Sequence, residues 1–449
     1  MRNLWKDKRT IIAACGLVFF IGMINADKTE ATSSFDTTAT MRMLIPVDST
    51  GAELPFVNDS LCRIEDPANS LSDFYNGLNE LLNGKDTVIN IVHLGDSHVQ
   101  AGFLTGRTMR MLQNSFGNAG RGWIAPFKLT RTNEPNDYFI SSNITRWTAG
   151  RCIQTKPGCP WGIGGIGIMT ESQSIDFKLI IAPENGAGYG FNKVLMFRDF
   201  MASPLVPAKI ITEAEMLIGE QPLENVVIDT FRTENLLDTL SLKSIGQRNG
   251  GGKNLYYGFM LSNGRPGLLY HSIGVNGAKY TDFTNRAYVR QLSLLNPSLL
   301  IVSLGTNESF GRNFSAETFE QQVEAFVGLI REELPGTAML ITTPAETYKR
   351  TYVKKKRYYV PNENMALVSD AIKACAAKEG LATIDFYSIA GGPNSCIQWY
   401  NSGLFGRDHI HFTRNGYDEQ GKLLYKAIIR SYNHESLDLV AAYSRKEQP

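Results

Sequence analysis

Val88-Ile89-Asn90-Ile91-Val92-His93-Leu94, followed by Gly95-Asp96-Ser97-His98, is the stretch on which the reading of this chain turns. The first seven residues form a largely apolar run closed by Gly95, with the length and composition of a buried strand. From Ser97 onward Phe103, Leu104, Met109, Met111 and Leu112 fit a helix, which Gly117 and Gly120 stop. A strand, a sharp turn and a helix would present the Ser97 hydroxyl at the carboxyl edge of a sheet, where α/β folds place ligands. The helix start would add unpaired N–H groups able to face an anion. Ser97 read alone is equally a helix cap, so residues elsewhere decide its chemistry.

The same alternation extends on both sides. Upstream, Ser70 or Asn69 can cap a helix carrying Leu71, Phe74, Leu78, Leu81 and Leu82, ended by Asn83-Gly84. Downstream, strands are expected over Pro297 to Leu304, Ala338 to Thr343 and Leu381 to Phe386. Helices are expected over Thr318 to Leu334, Met365 to Lys378 and Gly416 to Tyr432. Strands alternating with helices imply a parallel sheet covered on both faces.

Between these parts the period changes. Ile175, Phe177, Leu179 and Ile181 alternate, as do Leu255, Tyr257, Phe259 and Leu261, with further short runs between them separated by Gly, Pro and Asn. This spacing suits a β-sandwich or jelly roll. The fold class is therefore α/β, a three-layer parallel-sheet core interrupted by an all-β insert. The expected boundaries are 67–129 and 271–449 for the core and 130–270 for the insert.

The chain of 449 residues is 43% apolar and 20% charged, which places it among globular proteins of two or three domains. Arg2, Lys6, Lys8 and Arg9 precede an apolar stretch from Ile11 to Ile24, so residues 1–26 read as a signal peptide or anchor and residues 27–66 as an extended arm. Loss of residues 1–26 moves the formal charge from +1 to −2, which leaves no electrostatic signature of a nucleic-acid partner. Cys62, Cys152, Cys159, Cys375 and Cys396 show no paired C-x-x-C spacing, so no zinc site is expected; Cys152 and Cys159 can close a short disulfide loop.

Far downstream the chain carries Asp408-His409-Ile410-His411. An Asp three residues before a His can hold the imidazole in one tautomer while the ring faces a serine. His409 is a competing base, ranked below His411 because it adjoins Asp408. Gly274-Val275-Asn276-Gly277-Ala278 and Gly305-Thr306-Asn307 each follow a strand. The N–H groups of Ser97 and Gly277 and the Asn307 amide can together face an oxyanion, although Gly277 and Asn307 taken singly read as turn residues.

In order and spacing, Gly95-Asp96-Ser97, Gly277, Gly305-Thr306-Asn307 and Asp408 to His411 resemble the four sequence blocks of the SGNH, or GDSL-like, hydrolases. The resemblance implies Ser97 as nucleophile, His411 as base, Asp408 as its orienter, and Ser97, Gly277 and Asn307 as oxyanion donors, with no cofactor and no metal. The Gly-Asp-Ser-His block, the Asn-Gly-Ala second block and a β-domain between them are similar to peptidoglycan O-acetylesterases, in which the insert resembles a carbohydrate-binding module. Gly-Thr-Asn-Glu stands where many members have Gly-x-Asn-Asp, with the Asn retained. The expectation is an exported, periplasmic or cell-envelope serine esterase that removes O-acetyl groups from a glycan, foremost peptidoglycan, with peripheral or N-terminal membrane association possible. The alternatives are an O-acetyltransferase with the same site, an acetylxylan-type esterase and a non-catalytic glycan-binding protein.

His98 and Trp123 are candidate substrate contacts beside this site. Trp147, Trp161, Tyr138, Tyr256 and Tyr257 can stack on sugar rings, although most aromatics in alternating strands serve as core. The run Lys354 to Arg357 can meet acidic glycans or form a solvated loop. The tyrosine-rich stretch from Lys349 to Tyr359 has no place in the resemblance.

Overall fold

The protein is described by a computed structural model over residues 44–47, 54–182, 188–245 and 252–446, with side chains to 437. The signal or anchor expected over residues 1–26, and part of the arm, lie outside the described residues.

Five parallel strands make the central sheet: β1 (Val88–Gly95), β2 (Gly267–Gly274), β3 (Leu299–Ser303), β4 (Ala338–Thr342) and β5 (Ala382–Ile384), in the order β2-β1-β3-β4-β5. Side chains that alternate along each strand feed two separate cores. Ile89, Ile91, Ile301 and Leu340 join one cluster with α1 (Ser72–Leu82), α2 (Phe103–Phe116) and α5 (Arg414–Lys446). Val92, Leu94, Leu300 and Ile341 join the other with α3 (Ala316–Glu333) and α4 (Asn364–Glu379). Helix, sheet and helix are the three expected layers.

The start of α1 departs from the expected cap. Neither Ser70 nor Asn69 caps it; the Asp66 carboxylate accepts from the Ser70 N–H and O–H and from the Leu71 N–H. One anion there satisfies donors that a Ser hydroxyl reaches singly. Nor does the chain before residue 67 run free as an arm where it is described. Asp59 pairs with Arg430 and Lys426 of α5, Cys62 is fully buried, and Glu65 bridges to Thr383 at β5.

The insert consists of two antiparallel sheets. A seven-stranded sheet runs Thr148–Arg151, Ile166–Thr170, Asn254–Ser262, Phe191–Asp199, Val226–Leu237 and Ala214–Leu217, with Gly122–Ile124 also paired to Asn254–Ser262. A four-stranded sheet contains Tyr138–Ser141, Asp176–Ile181, Thr239–Ser244 and Leu205–Pro207. Its Phe177 packs edge-on against Tyr256 and Phe259 of the larger sheet, at 5.3 and 5.5 Å between ring centroids. The opposite face of the larger sheet carries Leu255, Tyr257 and Met260 into the cluster of the α/β core. Asn254–Ser262 is thus covered on both faces and buried at all nine positions, which is why its alternation marks two apolar faces. By strand pairing the insert begins near Gly122 and ends near Ser262, and β2 already belongs to the core, so both expected boundaries sit several residues late. The helix Phe103–Phe116 does end at Gly117, as the Gly stops imply, and Gly122–Ile124 beyond them joins the insert.

All five described cysteines are buried free thiols, and no Cys152–Cys159 bridge forms; the Cys159 thiol donates to the Thr148 carbonyl instead. Among the described residues no helix is long and apolar enough to cross a membrane.

Candidate active site

The sheet order reverses between β1 and β3, so the loops leaving their carboxyl ends diverge and open a crevice. Four segments meet there. Ser97 starts the short helix Ser97–Gln100 after β1, Gly277 follows β2, Asn307 follows β3, and the Asp408 to His411 loop comes after β5. Ser97, Asn133, Asn276, Gly277, Asn307 and His411 are among the residues lining a cleft of about 560 Å³.

The short helix is held from inside the turn. The Asp96 side chain accepts from the His98 N–H at 2.9 Å and so caps Ser97–Gln100. β2 passes so close that a Cβ on Gly274 would lie 2.1 Å from Gln100 N, so only glycine fits at its tip. Gln100, three residues after Ser97, accepts from the Asn276 N–H at 2.7 Å and donates to Thr132 and Asn133, which also receive the Asn276 amide. This network fixes the Gly277 turn relative to Ser97. Gln100, Thr132 and Asn133 went unread in the sequence; the available signal was the position of Gln100 one turn along the Ser97 helix.

Ser97 Oγ lies 2.9 Å from His411 Nε2, and His411 Nδ1 lies 2.7 Å from Asp408 Oδ2. Asp408 Oδ1 accepts from the backbone N–H groups of Ile410 and His411, each at 3.0 Å. Burial pushes the Asp408 carboxyl up, but the hydrogen bonds from the His411 ring and the two backbone donors outweigh it and hold it well below the usual carboxylate range. The hydrogen bond to Asp408 raises the His411 ring against the opposing effect of burial. His409 does not join this line. It takes a left-handed backbone (φ 57°), and its ring lies among Tyr348, Tyr359 and Tyr400.

The three expected oxyanion donors differ in readiness. Gly277 takes a left-handed φ of 84°, with Ile153 Cδ1 3.9 Å from where a Cβ would lie. Among the described residues, no protein acceptor is recorded for the N–H groups of Ser97 and Gly277. Asn307 is in the cleft, but its amide Nδ2 donates to Asp96 Oδ2 at 3.1 Å and to the Ala278 carbonyl at 3.0 Å. Beside it the buried Glu308 accepts from the Tyr280 N–H at 2.8 Å, and burial raises its carboxyl to about 7. This acid, at the position where the sequence departs from the family pattern, ties the Asn307 turn to the Gly277 turn.

Of the two substrate-contact candidates, His98 stands beside the site. Its ring lies 5.2 Å from that of His411, and Nδ1 is 3.0 Å from the Tyr417 hydroxyl. Trp123 does not line the cleft: it is 1% exposed and packs on Phe197 inside the molecule. The sugar-stacking candidates are likewise packing groups. Tyr138, Tyr256 and Tyr257 are buried, Trp147 stacks on Phe177, and Trp161 packs on Tyr288. The buried strand aromatics have no wet side to offer, whereas Trp147 and Trp161 are half-buried loop residues with one ring face taken by packing. Among the described residues no group of three or more His, Cys, Asp or Glu side chains is placed to hold a metal ion.

Residues 244–419 match the model of the GDSL-like Lipase/Acylhydrolase family. Among solved structures, the fold is similar to that of a peptidoglycan O-acetylesterase, with TM-score 0.66 and 21% identity over 82% of this chain and 99% of that one. A GDSL-like lipase from Bacteroides thetaiotaomicron matches at 17% identity and TM-score 0.28, over 36% of this chain and 75% of that one. No curated protein matches the sequence.

Proposed function

We propose that this chain, an ester hydrolase whose residues 244–419 match the model of the GDSL-like lipase/acylhydrolase family, removes O-acetyl groups from a glycan of the peptidoglycan type outside the cytoplasm. The observation that carries the reading is the hydrogen-bonded line from Ser97 through His411 to Asp408 at the floor of an open cleft. The glycan assignment draws on the similarity to a peptidoglycan O-acetylesterase that spans nearly all of that chain.

In this mechanism Ser97 Oγ attacks the acetyl carbonyl carbon while its proton passes to His411 Nε2, and Asp408 stabilises the imidazolium that forms. The N–H groups of Ser97 and Gly277 receive the oxyanion, and Asn307 shares an N–H between it and Asp96. Collapse of the tetrahedral intermediate breaks the bond to the sugar oxygen, which leaves with the proton from His411. Water repeats the sequence on the acetyl-serine and releases acetate. The side chains of His411 and Asp408 are 41% and 50% exposed, so water reaches the acyl-enzyme.

The test is acetate release from O-acetylated peptidoglycan and from acetylated xylan by the wild type and Ser97→Ala. Serine-dependent release from peptidoglycan is expected. Preference for xylan keeps the mechanism and moves the substrate, whereas acetylated glycan formed from an acyl donor in place of free acetate makes the protein a transferase.

A further inference from the structure

The tyrosine-rich stretch left over from the sequence folds as an exposed β-hairpin, Tyr348–Val353 paired with Lys356–Pro361. Its turn residues Lys354 and Lys355 both have positive φ, 46° and 66°, where hairpins ordinarily place Asn and Gly. The hairpin carries six cationic side chains and no acidic one. Among the described residues, none of the six is recorded in an ion pair with a carboxylate.

Period-two alternation gives the two faces different tasks. One face presents Tyr348, Arg350 and Tyr352 from the first strand opposite Pro361, Tyr359 and Arg357 from the second. At its base Tyr348 and Tyr359 pack on His409, and the Tyr348 N–H donates to the His409 carbonyl at 2.9 Å. His409 is the residue between Asp408 and the Ile410-His411 pair, so this face is joined directly to the candidate catalytic loop. Farther out, Arg350 lies over the Tyr352 ring and Arg357 over the Tyr359 ring, each at 5.7 Å, and Tyr352 is 60% exposed. Guanidinium groups and flat rings thus alternate away from the active site.

We propose that this hairpin face docks the acidic part of the substrate, a glycan strand bearing carboxylates, with Arg350 and Arg357 pairing the carboxylates and Tyr352 stacking on a ring of the polymer. The inference rests on the glycan esterase reading above. Charge complementarity selects a polyanion, since guanidinium forks match carboxylates bidentately. Continuity with the Asp408 to His411 loop selects the substrate itself as that polyanion, because a strand whose acetyl group reaches Ser97 extends from the same loop.

The experiment compares kcat/KM on O-acetylated peptidoglycan fragments with free carboxylates and on the same fragments after amidation. The wild type is expected to prefer the free acids by about fivefold at low salt, the scale of a few exposed charge pairs, and to lose the preference at high salt. In Arg350→Gln/Arg357→Gln the ratio falls to about one, and Arg350→Lys/Arg357→Lys restores part of it. A wild-type ratio near one, or an unchanged ratio in the Gln variant, overturns the proposal. Binding of Ser97→Ala protein to intact sacculi, read by pelleting, separates this inference from the esterase reading: loss of binding in the Gln variant supports docking even where the wild type releases no acetate. Hairpin-dependent binding to phosphatidylglycerol vesicles, with none to sacculi, overturns it in favour of a lipid surface.

Discussion

The Asn307 amide donates to the Asp96 carboxylate at 3.1 Å, joining the residue before the candidate nucleophile to the third of the candidate oxyanion donors. Asp96 is buried, and burial raises its carboxyl to about 7 against the hydrogen bond from the His98 N–H, which lowers it. Its folded value therefore lies above its unfolded one. The stability linked to this group is fully present below about pH 4 and is lost as pH rises through 7. Asp96→Asn removes the titration and leaves either the His98 N–H or the Asn307 amide without its acceptor, at a cost of about 1–3 kcal/mol. The expected outcome is a wild type more stable than Asp96→Asn at pH 5, with the gap narrowing by pH 8 in denaturant unfolding. A gap that is constant across that range contradicts a buried, half-protonated Asp96.

The hydrogen bond from Asp408 raises the His411 ring, and a general base acts only when neutral. Activity on 4-nitrophenyl acetate is therefore expected to climb with pH through a midpoint above the ordinary histidine value of about 6.5. Asp408→Asn removes the charge that holds the imidazolium, so the midpoint moves down and kcat falls roughly 10²- to 10⁴-fold. A midpoint unmoved by Asp408→Asn assigns the titration to another group.

These expectations also show how far the sequence reaches. The core strands and helices are legible because each apolar run has one period and a Gly, Asn or Pro at its end, as with Val88 to Gly95 and Ala338 to Thr342. The loops carrying Ser97, Gly277 and Asn307 are legible because each follows such a strand, whereas Asp408 to His411 lies beyond two short helices after β5 and is legible from its Asp-x-x-His spacing. What is illegible comes from pairing over distance. Gly122–Ile124 reads as a loop until Asn254–Ser262 lies beside it, and Asn133 gains its place from Gln100 and Asn276, 33 and 143 residues away. The hairpin is illegible for a local reason, since Lys354-Lys355 carries none of the residues that ordinarily mark its turn.

Trp123 separates packing from recognition. It is buried against Phe197, with Gly164 and Gly258 approaching its ring too closely to carry a Cβ, so the cavity left by Trp123→Ala cannot be filled from the neighbouring backbone. The expected loss is about 3–5 kcal/mol in denaturant unfolding, with KM for glycan substrates unchanged in the protein that remains folded. A raised KM with little loss of stability returns Trp123 to the substrate.

His409 decides between two roles by its replacement. Its ring centroid lies 4.2 Å from that of Tyr359 and 4.4 Å from that of Tyr400, and its left-handed backbone turns the chain so that Asp408 can accept from Ile410 and His411. The ring packs among tyrosines, and its Nδ1 faces the Cys396 thiol at 4.0 Å rather than the Ser97 hydroxyl. His409→Phe is expected to keep kcat within about threefold, while His409→Ala releases the loop and lowers kcat roughly 10- to 100-fold, the scale of a displacement near 1 Å between reacting groups. Loss of activity in His409→Phe equal to that in His411→Ala makes His409 a base and overturns the assignment of His411; activity retained in Phe and reduced in Ala leaves His409 as the residue that holds the loop in place.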